Sequence, residues 1–105
     1  MKVYLVRKKT GVNAVAEYDE KSGTIIVKKG SAVSGNIAYT EKFRGAKSIE
    51  KAREGIVSNN ILQKDTEFKS ASTAANFVTG SSTNGLIAWK DEIGRTIKAI
   101  LAEQE

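Results

Sequence analysis

One segment constrains the fold more than any other: Val12-Asn13-Ala14-Val15-Ala16-Glu17-Tyr18 alternates with a two-residue period. That period places Val12, Ala14, Ala16 and Tyr18 on one face, which predicts a strand with this face against a core. Before it stands Val3-Tyr4-Leu5-Val6, a β-branched and aromatic cluster between charges, and Thr10-Gly11 supplies the turn between the two. The cluster from Asp19 to Gly23 is a second turn, after which Thr24-Ile25-Ile26-Val27 reads as a strand ending at Lys28-Lys29-Gly30. Short β-branched runs bounded by glycine favour strands over helices, so this part of the chain is expected to be an antiparallel meander.

The period then changes. Ser31 to Thr40 reads as a loop with a turn signal at Gly35-Asn36, and Ile37 and Tyr39 are expected to add a short edge strand. From about Arg44 to Val57, a helix is expected with Ile49, Ala52, Arg53, Ile56 and Val57 on one face and Lys47, Lys51 and Glu54 opposite. Ser58-Asn59-Asn60 is its expected stop, since asparagine tolerates the left-handed cap conformation, and Ile61 and Leu62 follow into the core. Thr66 to Lys69 reads as short and extended. Ser70 is an N-cap residue for a helix from Ala71 to Thr79, which Gly80 ends. Ala71, Ala74, Ala75 and Val78 share that helix's apolar face and allow close approach to the sheet. Asn84-Gly85 is expected to turn into a strand from Leu86 to Trp89. A turn from Asp91 to Gly94 and a last helix carrying Thr96, Ile97, Ile100 and Leu101 complete the chain. The expected architecture is one α+β domain spanning 1–105, a small, mostly antiparallel sheet with about three helices on one face.

Composition narrows the chemistry. With 105 residues, 40% hydrophobic and 28% charged, a single modest core needs no crosslink. Cysteine is absent, which excludes disulfides and thiolate chemistry, and histidine is absent, which removes the commonest general base and zinc ligand. No apolar run approaches the roughly 18 residues of a membrane span. The run within MKVYLVRKK is too short for the core of a signal peptide, so a cytoplasmic location is expected. The net charge of +5 is uneven: residues 1–53 hold 12 Lys/Arg against 5 Asp/Glu, residues 54–105 hold 5 against 7. Such a basic half suits an anionic partner such as nucleic acid; the competing reading is lysines that only keep the domain soluble.

Phe68 to Lys90 contrasts with the lysine-rich remainder in carrying almost no charge between Lys69 and Lys90. Phe68-Lys69-Ser70-Ala71-Ser72-Thr73-Ala74-Ala75, then Val78-x-Gly80, Asn84-Gly85, Trp89-Lys90 and Gly94-Arg95-Thr96-Ile97, together with Lys29-Gly30-Ser31, resemble the pattern of bacterial domain of unknown function 4357. The resemblance spans the chain from Gly11 onward; one departure is Ala71, where the family usually has proline at the first helical position. Such domains occur behind nuclease domains of the GIY-YIG type and in restriction and modification proteins. The flavour is shared with restriction adenine methylase associated modules, which are thought to bind DNA. The resemblance therefore implies a nucleic-acid or nuclease context.

Catalytic readings fare poorly. Glu67-Phe68-Lys69 is half of a magnesium-nuclease motif, and Asp65 shares its strand face, but no neighbouring strand supplies a clean carboxylate partner. In Gly30-Ser31-Ala32-Val33-Ser34-Gly35, two glycines are spaced as in a phosphate loop, yet Asn36 and Ile37 stand where Lys and Ser/Thr belong. That loop could still offer amides and hydroxyls to one phosphate. Ser70 and Ser72 lack a histidine or other positioned base. Trp89 reads as core, and Lys90 either as a phosphate contact or a strand end. No enzyme activity, cofactor or metal is expected. The expected function is non-catalytic binding of duplex DNA. Lys28, Lys29, Arg44 and Lys90 would line a basic surface for phosphates, and the neutral loop with Ser81, Ser82 and Asn84 would touch bases or sugars. The alternative is a protein-interaction module that docks a nuclease or restriction partner. Oligomeric state is left open, and no membrane contact is expected.

Overall fold

The computed structural model describes residues 1–37 and 45–103. The alternating segment is strand β2 (Val12–Tyr18), paired antiparallel with β1 (Lys2–Arg7) from Lys2 opposite Glu17 to Arg7 opposite Val12. A short 3-10 turn, Lys8–Thr10, joins them, and Gly11 closes it at φ 79°, where a side chain would be strained. Strand β3 (Ile25–Val27) pairs with β2. The sheet is completed on β3 by a strand from far along the chain, β6 (Thr66–Phe68), giving the order β1-β2-β3-β6.

Before β6, the helix α1 (Ala46–Arg53) leads into a hairpin of two-residue strands, β4 (Val57–Ser58) and β5 (Ile61–Leu62). Bridges from Asn13 to Ala32 and from Ala32 to Ile61 join this hairpin to the start of β2. Helix α2 (Ala71–Thr79) lies on β2, β3 and β6 and is followed by the single-turn α3 (Gly85–Ala88) and by α4 (Ile97–Glu103). The α+β architecture matches the expectation from sequence, with a second small sheet in addition.

The core lies between the inward sheet face and α2. Val3, Leu5, Ala14, Ala16, Ile25 and Val27 meet Ala71, Ala74, Ala75, Phe77 and Val78, all buried. Alanines on both sides permit the close approach that the sequence suggested. Trp89 is fully buried in this cluster, and its indole N–H donates to the Ala71 carbonyl at 3.0 Å. Burial of each large side chain here contributes roughly 1.5–3 kcal/mol. Outward-pointing Tyr4, Val6, Val15 and Ile26 lie on the opposite sheet face, and Val6 is 55% exposed.

Several elements depart from expectation. The first helix is shorter than 44–57: it ends at Arg53, and Gly55 at φ 78° turns the chain so that Val57 enters a strand. Asn59 and Asn60 do not end a helix. At φ 52° and 63° they form the two-residue turn of the β4–β5 hairpin, where left-handed geometry at both positions matches strand twist. Leu62 is buried as expected, whereas Ile61 is 37% exposed. The expected strand from Leu86 to Trp89 is instead α3, because Asn84 caps it: its side-chain oxygen accepts from the Leu86 amide at 3.1 Å. Only Trp89 and Lys90 are extended. Ile37 is in no strand, and Tyr39 lies outside the described residues.

Candidate nucleic-acid interface

Of the expected site residues, strand register places Lys28 and Lys90. Lys28 donates its amide to the Val15 carbonyl at 2.8 Å, Val15 is opposite Tyr4, and Tyr4 exchanges two backbone bonds with Lys90, at 2.7 and 2.9 Å. Lys28 and Lys90 therefore share one cross-sheet row on the face opposite α2, three strand spacings or roughly 14 Å apart. Lys29 is exposed beside Lys28. Arg44 lies outside the described residues. Residues 81–84 are elsewhere: they run back along α2, in the helical layer.

The hydroxyls of that stretch hold the layer together. The Ser70 hydroxyl accepts from the Thr73 amide at 3.1 Å and caps α2, as the sequence indicated. The buried Thr79 hydroxyl reaches the Ala75 carbonyl at 2.8 Å and the Thr83 hydroxyl at 2.9 Å. Asn76 accepts from the Thr83 amide at 2.8 Å, and Ser72 from the Gly85 amide at 2.9 Å. Gly85 is required by this path, because a Cβ there would overlap the Ala71 backbone. Ser81 joins the Thr79 network, Asn84 is spent on the α3 cap, and Ser82 is exposed.

Residues 30–35 follow the same logic. Ser31 and Ser34 are buried: the Ser31 hydroxyl accepts from the Val15 amide at 3.0 Å, and the Ser34 hydroxyl donates to the Asn36 carbonyl at 2.7 Å. These hydroxyls point inward, away from any phosphate at the surface. A residue to which the sequence assigns no role of its own, Arg53, binds them to α2. Its guanidinium donates to the Phe77 carbonyl at 2.6 and 3.1 Å and to the Ser34 carbonyl at 3.0 Å. An arginine in the midst of Ile49, Ala52, Ile56 and Val57 is the signal that could have found it.

The strongest charge feature emerges from strand directions. β1 and β3 run toward the same end of the sheet, and β2 and β6 start from it. Arg7, Lys8 and Lys9 of the first hairpin stand at that end; Lys28 and Lys29 after β3 and Lys64 before β6 lie toward it but set back, Lys28 being level with Val15, three residues in from Val12. In these segments Asp65 is the sole carboxylate. It accepts from the Lys29 amide at 2.8 Å and lies 3.6 Å from the Lys28 ammonium. The Lys29 amide, helped by the charge of Lys28, holds the Asp65 carboxyl below its ordinary value. Among the described residues, Arg7, Lys8, Lys9, Lys29 and Lys64 have no ion-pair partner.

The β4–β5 hairpin points the same way. Val33 donates to the Asn60 carbonyl and Leu62 to the Ser31 carbonyl, both at 2.8 Å, so the Asn59-Asn60 turn extends past the row of Val6, Asn13, Ala32 and Ile61. One end of the molecule thus presents two hairpin tips, one cationic and one of exposed amides. Glu67 is exposed opposite Ile26, and among the described residues no three His, Cys, Asp or Glu side chains are grouped to hold a metal ion. No helix among them is long and apolar enough to cross a membrane.

The family model described as Domain of unknown function (DUF4357) matches residues 5–101. No curated protein and no solved structure matches the chain significantly.

Proposed function

We propose that this chain, which belongs to the family of the domain of unknown function DUF4357, is a non-catalytic module that binds duplex DNA through the basic end of its sheet. The observation that carries the reading is that Arg7, Lys8, Lys9, Lys28, Lys29 and Lys64, from three segments distant in sequence, all lie where strands end or begin on one side of the sheet, with Asp65 the one carboxylate among them. Cations at the ends of paired strands present charge to a backbone of regularly spaced phosphates, and binding releases counterions. Such contacts position a protein on DNA without reading sequence. The likeness to restriction-associated modules favours DNA over other polyanions, in a cytoplasmic restriction or nuclease setting.

Gel retardation of a duplex of about 20 base pairs tests this. Retention at about 50 mM salt should weaken steeply toward 200 mM. Lys8→Glu with Lys9→Glu, and Lys28→Glu with Lys29→Glu, should each weaken binding equally for all sequences. Each pair should lower the salt slope by about one unit for every phosphate that is no longer neutralised. Folded wild-type protein that retains no duplex at the lower salt overturns the proposal.

One observation favours a second reading, docking of a nuclease-type protein. Ile93 is 76% exposed at the tip of a turn that Asp91 fixes by accepting from the Ile93 and Arg95 amides at 3.1 and 2.9 Å. A rigid turn that holds out an isoleucine suits an apolar pocket on a partner. Binding of that kind depends little on salt.

A further inference from the structure

We infer that the β4–β5 hairpin is the base-reading element of this interface, with the Asn59 and Asn60 side chains entering the major groove of duplex DNA while the cationic hairpin holds phosphates. The inference rests on the DNA-binding reading above. It starts from the turn itself. A two-residue turn with both positions left-handed favours glycine at the second, yet this chain places asparagine at both, at φ 52° and 63°. Both residues are exposed, and neither side chain has a hydrogen-bond partner among the described residues. The backbone carries the structural role alone: the Asn60 carbonyl accepts from Val33, and β4 pairs with β5. No hydrogen bond among the described residues thus uses either side-chain amide; the Asn60 amide nitrogen lies over Gly35, 3.5 Å from where a Cβ there would stand.

Their placement suits a groove. Val6, Asn13, Ala32 and Ile61 form one cross-strand row, and both hairpins continue past it in the same direction. The row spans three strand spacings, so the cationic and amide tips stand roughly 14 Å apart. The B-form major groove, roughly 12 Å wide and about 8.5 Å deep, admits a two-stranded ribbon, and base edges at the middle of its floor lie roughly 10 Å from either backbone, within the spacing of the two tips. With one tip on the phosphates, the other reaches base edges. A carboxamide offers a donor and an acceptor together, the pattern that matches adenine N7 and N6. The deep, narrow major groove of duplex RNA rejects such a ribbon.

The test uses Asn59→Gly with Asn60→Gly. Glycine accepts the same backbone angles without strain, so the double variant should melt no lower than wild type. Both proteins are equilibrated with a pool of randomised duplexes of about 20 base pairs, and the bound fraction is sequenced. Wild type should enrich particular base pairs about tenfold over a cluster of adjacent positions. The double variant should retain the pool with an unchanged salt slope but lose that enrichment. Enrichment that survives in the double variant, or a wild type that retains the pool with no enrichment, overturns the inference and leaves phosphate binding standing. Equal retention of a duplex RNA pool overturns the groove assignment. A wild type that retains no DNA at about 50 mM salt overturns the underlying reading as well.

Discussion

Arg53 shows how one side chain can join distant segments. Its guanidinium meets the carbonyls of Phe77 and Ser34 and the Ser34 hydroxyl, and its charge lies 5.7 Å from the Phe77 ring centre. The last carbonyls of a helix have no intrahelical partner and carry the negative end of its dipole, so a cation there is doubly favourable. A planar fork can meet several acceptors at once, which a single ammonium cannot. Arg53→Met should therefore cost about 2 kcal/mol, as a hydrogen-bonded charge is removed and buried acceptors are left without donors. Arg53→Lys should recover only the dipole share, about 0.3–1 kcal/mol. Urea unfolding of the three proteins measures both losses; a methionine variant as stable as wild type would show that the clamp contributes nothing.

At the scale of elements, α2 is the most legible part of the sequence and α3 the least. Everything that defines α2 is local: the Ser70 cap, the alanine face, and Gly80 at φ 72°. Ser70→Ala should cost about 1 kcal/mol in a denaturant melt, the usual worth of such a cap. An unchanged midpoint would mean that water replaces the hydroxyl without penalty. The segment from Leu86 to Trp89 reads as a strand because Asn-Gly is the common hairpin signal. Tertiary context decides otherwise: Ser72 takes the Gly85 amide, the Ala71 backbone leaves room for no side chain there, and the chain coils into α3. Asn59-Asn60 misleads for the related reason that left-handed asparagine serves helix ends and hairpins alike. What separates the two uses is the bond from Val33 to Asn60, between residues far apart in sequence.

The whole molecule has an asymmetry that no local window reveals. The basic half is evident in the sequence, but that Lys64 stands on the same side of the sheet as Arg7, Lys8 and Lys9 depends on strand order, since β6 joins β3 only after the intervening hairpin and α1. Carboxylates also pin backbone amides, Asp65 across distant segments and Asp19 and Asp91 within local turns. Asp19 accepts from the Lys21 and Ser22 amides, which hold its carboxyl below the ordinary value. Asp65 is held low by the Lys29 amide. At Asp91 desolvation pushes upward, but the Arg95 amide and guanidinium and the Ile93 amide together bring it below its ordinary value. Each of these groups takes up its proton at higher pH in the unfolded chain than in the folded one, so acid favours unfolding. Their contribution is complete above about pH 5, where an ordinary aspartate is fully ionised, and is lost as pH falls through the ordinary value and then the lowered folded values. With no histidine in the chain, nothing of that kind titrates between about pH 5 and 7. The thermal midpoint, followed by circular dichroism, should be level from pH 5 to 7 and fall below about pH 4. Asp65→Asn with Asp91→Asn keeps an acceptor oxygen at each site but removes the titrating charge. That variant should melt lower than wild type at neutral pH and approach it in acid. Parallel curves for the two proteins down to about pH 2.5 would show that these carboxylates do not set the acid response.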